Sequence, residues 1–254
     1  MLQVSNVTKK FGGLTAVDDL SFNVKKGTIH SIIGPNGAGK TTLVNMITGV
    51  YKVNSGTVFL DGADITNIAT NKLVYRGICR TFQNLEICGN LTVLENVMLG
   101  FDKYLDKNLI KSCFKASSII EDEKRYTTRA MHLLGLIGLE EFAHQEAQNL
   151  SYGILKKLEI VRALATSPEL ILLDEPVAGL NPKETAEVSE LIRTVVEDEV
   201  TIILIEHDMK MVMDISDHIT VMNFGKKLAE GTPTEIVNNK DVIEAYLGSG
   251  ALHE

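Results

Sequence analysis

Three short apolar runs recur along the chain, each bounded by glycine or by charged residues. They are GTIHSIIG at 27–34, ELILLDE at 169–175 and VTIILIE at 200–206. Continuous apolar runs of this length are typical of strands buried on both faces, as in a parallel sheet. Between the first two a helix is predicted to begin at Thr41, and Pro182 suits the first turn of a helix that precedes the third. Strands separated by helices predict a doubly wound α/β core with helices on both faces of the sheet.

Two further segments predict strands, and the second of them predicts an antiparallel hairpin. The N-terminal MLQVSNVTKK alternates apolar and polar residues and predicts a first strand, not a signal peptide. The segment VNSGTVFLDGADIT at 53–66 contains turn signals at Gly56 and at Asp61 with Gly62. It predicts hairpin material beside the core.

Strand patterns largely vanish between residues 83 and 165, where the sequence is helix-prone. Within the amphipathic stretch that begins near Gly153, four apolar residues fall on one helical face, namely Ile154, Leu158, Val161 and Ala165. We therefore expect a helical subdomain of roughly 80 residues inserted into the core. The chain is predicted to be a single domain over 1–254, with the core at 1–83 and 166–254 and the helical subdomain at 84–165.

The composition narrows the possible functions. The 254 residues include 25 Lys and Arg against 33 Asp and Glu, for a formal net charge of −8. This balance argues against broad contact with nucleic acid, where affinity comes from neutralising many phosphates. The three cysteines lack metal-ligand spacing and are typical of reduced thiols in a cytosolic protein. The longest apolar run, at 133–139, is much shorter than the roughly 20 residues of a membrane span.

The stretch GPNGAGKTT at 34–42 carries the strongest chemical signal. It matches the phosphate-binding pattern G-x-x-x-x-G-K-[ST] and lies between a predicted buried strand and a helix. Its backbone amides would surround a triphosphate, Lys40 would reach the outer phosphates and the Thr41 hydroxyl would ligate Mg²⁺. An ordinary glycine-rich turn is the alternative. The residues predicted to bind nucleotide here are Gly34, Pro35, Asn36, Gly37, Ala38, Gly39, Lys40, Thr41 and Thr42.

Acidic residues at the end of the second apolar run would complete such a site. Asp174 is placed at the carboxyl end of a central strand, from which it can reach Mg²⁺ bound by Thr41. Glu175 follows directly and is a candidate general base for the attacking water. His207 follows the third run in the same way and is a candidate partner of the γ-phosphate or of the water. The alternatives are a solvated Asp-Glu turn and a structural histidine.

A second anion-binding position is suggested by NLSYGILKKLEIVRALA at 149–165. Ser151 stands at an N-cap position, and Gly153 follows before an amphipathic helix whose amides and dipole favour an anion. Taken alone, this segment is a capped helix.

The order and spacing of these motifs resemble those of ABC-transporter ATPase subunits over the whole chain. The resemblance implies a RecA-like P-loop NTPase core with an antiparallel β subdomain and an inserted helical subdomain. It also implies ATP and Mg²⁺ as ligands, and two such subunits enclosing two ATP molecules. Ser151 and Gly153 would then serve the partner's ATP, Gln83 in RTFQN would touch Mg²⁺ or water, and Phe11 would stack on adenine. A core aromatic is the alternative for Phe11.

Longer segments narrow the resemblance to the ATP-binding subunits of branched-chain amino acid importers. They include LTVLENVMLG, DEPVAGLNPKET and LIEHDMKMVMDISDHITVMNFGKKLAEGTPTEI, and they end at VIEAYLG. This implies a second cassette, either a paralogue or an identical chain, two integral-membrane permease subunits and, indirectly, an extracytoplasmic solute-binding protein. The chain would be peripheral on the cytoplasmic face of the membrane. Related cassettes for urea and amides or for lipopolysaccharide export are the main alternatives, followed by a non-transport ABC protein and a catalytically silent subunit.

The chain also departs from the usual family pattern. The segment that resembles the ABC signature is LSYG at 150–153 with the residue after it. There Ile154 stands in place of the usual glutamine and Tyr152 in place of the usual glycine. In the D-loop, residues 178–181, Asn181 replaces the commoner aspartate. Loss of one neutral hydrogen bond at position 154, worth roughly 1 kcal/mol, predicts a several-fold effect and not abolition of activity.

Overall fold

The computed structural model describes residues 1–81, 85–104 and 116–247, and Gln83 lies outside them. The strands are β1 (Leu2–Phe11), β2 (Leu14–Val24), β3 (Ile29–Ile33), β4 (Ser55–Leu60), β5 (Ala63–Asp64), β6 (Ile78–Arg80), β7 (Leu170–Asp174), β8 (Thr201–Ile205), β9 (His218–Asn223) and β10 (Lys226–Gly231). The α-helices are α1 (Lys40–Ile47), α2 (Thr70–Leu73), α3 (Val93–Met98), α4 (Ala116–Gly135), α5 (Tyr152–Ala165), α6 (Pro182–Glu197), α7 (Met209–Ile215), α8 (Pro233–Val237) and α9 (Lys240–Leu247). Short 3-10 helices span Val74–Arg76, Leu99–Tyr104, Glu140–Phe142 and Ala147–Asn149.

A six-stranded sheet forms the centre of the molecule, in the order β10-β9-β3-β8-β7-β6. Neighbours from β9 to β6 pair in parallel, and β10 closes one edge antiparallel to β9. The three predicted apolar runs become β3, β7 and β8, and every residue of these strands is buried. Apolar side chains on both faces favour this central position because helices cover both sides of a parallel sheet.

The antiparallel sheet has the order β2-β1-β4-β5. The predicted first strand is β1, and the predicted hairpin is present because β4 pairs with β5 through Phe59 with Asp64 and Leu60 with Ala63. The longer partner of β4 is β1, an association that the local sequence does not encode. Apolar residues of this sheet share one core cluster with α1 and the central sheet.

The helical part has a core of its own, formed by α3, α4 and α5. The aromatic ring of Phe101 stacks on Tyr126 there, with 5.0 Å between the ring centroids. Helix α5 also packs on the main core, because its Ile160 and Leu164 join the cluster that contains Val188 of α6. This helix therefore connects the helical part to the α/β sheet by apolar contact on two faces. The predicted bounds of the helical subdomain, residues 84–165, stay a prediction.

In the ranges 1–81, 85–104 and 116–247, no helix combines the length and the hydropathy that crossing a bilayer requires.

Candidate functional site

The phosphate loop, Asp174, Glu175 and His207 lie at the carboxyl edge of the central sheet. Strand β3 ends directly before Gly34, β7 ends at Asp174, and β8 ends before His207. Asp174 pairs with Ile205, so β7 and β8 end at the same level. Parallel strands present their carboxyl ends at one edge, which is where ligands bind in open α/β sheets.

At two positions, the loop between β3 and α1 takes a conformation that only glycine accommodates. Gly34 has φ of 153°, and a Cβ there would lie 2.2 Å from the Met222 carbonyl oxygen. Gly39 has φ of 100°, and a Cβ there would lie 2.5 Å from the Ala16 carbonyl oxygen. Gly39 is also the N-cap of α1 and brings no side chain to the helix start. The first amides of α1 therefore remain available to an anion.

The Lys40 ammonium lies inside this loop. Its Nζ donates hydrogen bonds to the carbonyl oxygens of Gly34 at 2.6 Å and of Pro35 at 3.2 Å. Burial lowers the pKa of Lys40 below its usual value, although the nearby carboxylates of Glu175 and Asp174 act in the opposite direction. The lysine thus lies within the electrostatic reach of both acidic residues.

A cavity of about 690 Å³ opens over the loop. Glu175 and Ile205 reach it from the sheet edge, so the phosphate loop and the candidate base share one space. Its wall also includes residues that the sequence reasoning missed, at the start of β2 and at the turn between β9 and β10. No local pattern marks these residues. The lining residues are Leu14, Thr15, Ala16, Asn36, Gly37, Ala38, Gly39, Lys40, Thr41, Thr42, Glu175, Ile205, Phe224 and Gly225.

Asp174 is buried at the end of β7 and pairs with Arg80. This burial excludes the solvated-turn alternative for Asp174. A carboxylate on β7 and the Thr41 hydroxyl on α1 are hard oxygen donors of the kind that Mg²⁺ prefers beside phosphate. The residue types at this edge therefore fit a magnesium site.

Glu175 and His207 lie side by side, with His207 Nδ1 3.8 Å from Glu175 Oε1. The Glu175 side chain is 24% exposed and that of His207 is 65% exposed, so both are open to the solvent side of the edge. Glu175 also has φ of 50°, a left-handed conformation that is strained for a non-glycine residue. Its amide donates to the Ile205 carbonyl oxygen at 2.9 Å and fixes this conformation.

Glu206 is a buried carboxylate that the sequence analysis passed over. Its carboxylate accepts hydrogen bonds from the amides of Val177 at 3.1 Å and of His207 at 3.0 Å. Burial raises the pKa of Glu206 above its usual value, while these amides oppose the shift. Glu206 thereby ties the loop after β7 to the loop that carries His207.

The family model described as ABC transporter matches residues 17–178. This chain belongs to the ABC transporter family. A second model, described as branched-chain amino acid ATP-binding cassette transporter, matches residues 226–251.

Relatives match this ABC chain over nearly its whole length. The high-affinity branched-chain amino acid transport ATP-binding protein BraF of Pseudomonas aeruginosa is 45% identical over 249 residues, which cover 98% of each chain. LivG of Escherichia coli K12, named for the same transport, is 44% identical with the same coverage.

Solved cassettes share the fold. A nucleotide-free ATP-binding cassette from an ABC transporter is 34% identical with a TM-score of 0.84, covering 97% of this chain and 98% of the other. The ADP conformation of the cassette MJ1267 is 34% identical with a TM-score of 0.85 and covers 98% of each chain. The predicted family, fold class and ATPase activity are confirmed.

The ABC signature lies apart from the phosphate loop of its own chain. Ser151 is the N-cap of α5 and exposed, and among the described contacts its side chain makes no capping hydrogen bond. A Cβ on Gly153 would lie 2.5 Å from Glu184 Oε1, so this glycine permits close contact with α6. Ser151 and Gly153 line a separate cavity of about 260 Å³, together with Ile154, Lys157, Asn181, Lys183, Glu184 and Glu187.

Asn181 of the D-loop has a local structural task. Its side-chain oxygen accepts from the amides of Lys183 at 3.0 Å and Glu184 at 3.1 Å, and Glu184 reaches back to the Asn181 amide. This capping box starts α6 directly before Pro182. Since asparagine and aspartate cap helices about equally well, the substitution leaves the helix start intact.

Phe11 lies at the turn between β1 and β2 and is 42% exposed, which excludes the core alternative. Its ring packs edge-on against Tyr51 with 5.2 Å between centroids, and the Lys9 ammonium lies 5.0 Å from its centre. The cavity wall nearest this turn is formed by Leu14, Thr15 and Ala16. Adenine stacking on Phe11 stays a prediction, as does the role of Gln83 outside the described residues.

Proposed function

We propose that this ABC ATPase hydrolyses ATP to drive the import of branched-chain amino acids. The observation that carries the proposal is the shared cavity of the phosphate loop and Glu175, in a chain that matches BraF over 98% of both lengths. BraF and LivG are named for branched-chain amino acid transport, and the same substrate is proposed here because the C-terminal match at 226–251 belongs to that class.

The proposed chemistry assigns a task to each residue of the sheet edge. The loop amides and Lys40 bind the phosphates, and Glu175 accepts the proton of the attacking water. His207, beside Glu175, orients the water or the γ-phosphate. Thr41, Asp174 and Gln83 would hold Mg²⁺, which neutralises charge on the phosphates when bound.

A second cassette is proposed to complete the site. Ser151 and Gly153 line a cavity other than that of their own phosphate loop, so in a closed pair they would face the ATP of the partner. The amides at the start of α5, left free by the Ser151 side chain, would receive the γ-phosphate. The partner cassette is a paralogue or an identical chain.

The permease subunits are proposed to dock where the helical part meets the edge of the sheet. A groove of about 470 Å³ lies there, and its wall includes Arg80 and Thr81, which directly precede Phe82 and Gln83. Glu86, Glu159 and Arg162 give this groove charged groups of both signs. Movement of the helical part on ATP binding would pass through this contact to the membrane. The chain would therefore sit at the cytoplasmic face, with a solute-binding protein on the far side.

Reconstitution of the chain with its permease subunits in proteoliposomes tests the proposal. We expect leucine uptake that requires internal ATP and the matching solute-binding protein. The matched control is the same complex with Glu175→Gln, which should bind ATP but lose uptake by about 100-fold or more.

The alternatives give different outcomes in the same assay. Uptake of urea or amides without leucine would assign the chain to another substrate class, as would ATP-driven export of lipopolysaccharide. Full leucine uptake by the Glu175→Gln complex would remove the catalytic assignment. Zero turnover by the wild-type complex would identify a silent subunit.

A further inference from the structure

The turn between β9 and β10 carries an aromatic residue that its backbone does not favour. Phe224 and Gly225 are the two central residues of the turn, since Asn223 pairs directly with Lys226. Both central residues have positive φ, 45° for Phe224 and 78° for Gly225. Two-residue hairpin turns of this type prefer Asn-Gly or Asp-Gly, because bulky side chains resist the left-handed conformation. The Phe224 side chain is nevertheless 86% exposed, so burial does not offset its strain.

This turn is held against the phosphate loop by backbone hydrogen bonds. The Gly225 amide donates to the Ala38 carbonyl oxygen at 2.9 Å, and the Asp18 amide donates to the Gly225 carbonyl oxygen at 2.8 Å. A Cβ on Gly225 would lie 2.8 Å from the Ala16 carbonyl oxygen. The turn therefore contacts both the loop and β2, and the position of Phe224 is fixed relative to the nucleotide cavity.

Two exposed apolar side chains lie on the wall of that cavity. Leu14 is 67% exposed and Phe224 is 86% exposed, and both line the space that contains Lys40 and Glu175. A nucleotide whose phosphates contacted the loop amides would leave its base and ribose to the rest of this cavity, whose wall includes Leu14 and Phe224. A purine offers an apolar face to an aromatic ring, and ring contact of this kind is favourable.

We propose that Phe224 is a nucleotide-binding residue whose ring, together with Leu14, packs against the base and ribose of the bound adenine nucleotide. Phe224 thus supplies an aromatic contact from the turn beside the phosphate loop, separate from the one predicted for Phe11. Contact with the nucleotide would explain why the exposed Phe224 keeps a strained backbone conformation at the border of the cavity. The assignment depends on nucleotide binding and is independent of the transported substrate.

Phe224→Asn in the full chain separates a binding role from a structural one. Asparagine is the residue that this turn prefers, so the nucleotide-free variant should melt at the same temperature as wild type or higher. Its affinity for ADP, measured by calorimetry in EDTA, should fall about five-fold because ring contact with the base is lost. Affinity for inorganic triphosphate, which has no base, should stay unchanged. Phe224→Tyr should retain ADP affinity within about two-fold.

Tyr75→Asn is the matched control, because Tyr75 is 67% exposed and lies outside the cavity lining. It should change neither affinity. The proposal is overturned if Phe224→Asn leaves ADP affinity unchanged, or if triphosphate affinity falls equally, which would mean that the ring acts on the shape of the loop. It is also overturned if the only effect is weaker ATP-dependent pairing of cassettes, which would assign Phe224 to the partner contact. Failure of the wild-type chain to bind ADP would instead refute nucleotide binding in this cavity, on which the proposal rests.

Discussion

Arg80 and Asp174 form a buried ion pair at the end of the central sheet. Arg80 Nη2 lies 2.7 Å from Asp174 Oδ2, and the two side chains are 10% and 6% exposed. Arg80 Nη1 also donates to Asn45 Oδ1 of α1 at 2.6 Å. One guanidinium therefore joins β6, β7 and the helix after the phosphate loop, at the carboxylate assigned to the metal.

Replacing Arg80 should cost stability because it leaves a buried carboxylate without its cation. We expect Arg80→Met to lower the free energy of unfolding by about 3 kcal/mol in EDTA, with a smaller loss for Arg80→Lys. Urea denaturation measures this. Arg193→Met is the control, because the pair of Arg193 with Asp214 is also 2.7 Å long but 39% and 63% exposed, and should contribute less than about 1 kcal/mol. Equal losses in both variants would contradict a special role for the buried pair.

Replacing Lys40 should act on the phosphates. The ammonium is already positioned in the loop by Gly34 and Pro35, so Lys40→Ala removes a cation whose location is fixed before ATP arrives. We expect ATP affinity to fall by about ten-fold or more, since a charge-assisted contact contributes roughly 1.5–3 kcal/mol. Equilibrium binding of a fluorescent ATP analogue measures this. Unchanged affinity and turnover would refute the phosphate-site assignment.

The glycines of the loop are predicted to differ in their tolerance of alanine. Gly39→Ala would force a Cβ to within 2.5 Å of a carbonyl oxygen, whereas Gly37 has φ of 82° and no atom within 4 Å of the added carbon. Gly37→Ala should therefore cost only the backbone strain, about 1–2 kcal/mol, and Gly39→Ala clearly more. Thermal unfolding and ADP binding of the two variants test this. A tolerant Gly39 and an intolerant Gly37 would contradict the loop geometry.

Acid should destabilise the protein through His30. Burial, with the nearby His218 and Lys227, lowers the pKa of His30 to about 3 in the folded chain, against an ordinary 6.5. Because the unfolded state binds the proton more tightly, His30 contributes to the free energy of unfolding in a pH-dependent way. This contribution is complete above about pH 6.5 and is lost as pH falls toward 3. Between pH 7.5 and pH 5 the loss amounts to about 2 kcal/mol.

Urea denaturation of wild type and His30→Leu at both pH values isolates this effect. The variant loses the hydrogen bond between His30 Nε2 and Thr220 Oγ1 and is expected to be less stable at pH 7.5. The gap between the two proteins should narrow by about 2 kcal/mol at pH 5. A gap that stays constant would show that His30 does not titrate in this way.

The local sequence pattern was sufficient to predict much of the central sheet and of the phosphate site. Strands β3, β7 and β8 were predictable because continuous apolar runs bury both faces, and the motif at 34–42 locates a phosphate loop without any tertiary information. Asp174, Glu175 and His207 follow directly from those strands, because a residue after a parallel strand must lie at the carboxyl edge of its sheet.

Strands β6, β9 and β10 were not predicted. Strand β6 has only three residues, too few for a periodic signal, and is recognisable only by its pairing with β7. The hairpin of β9 and β10 completes the sheet at the opposite edge and brings Phe224 to the nucleotide cavity.

The chemistry of the site follows from local sequence, because the phosphate loop and its acidic partners are short segments whose residue types and spacing define what they bind. Which distant groups contact the site depends on the three-dimensional fold. Arg80 and Asp174 are 94 positions apart in the sequence, and most of the chain separates Lys40 from Phe224. Such contacts depend on the order of strands in the sheet, which arises from the packing of the whole core and not from any local run of residues.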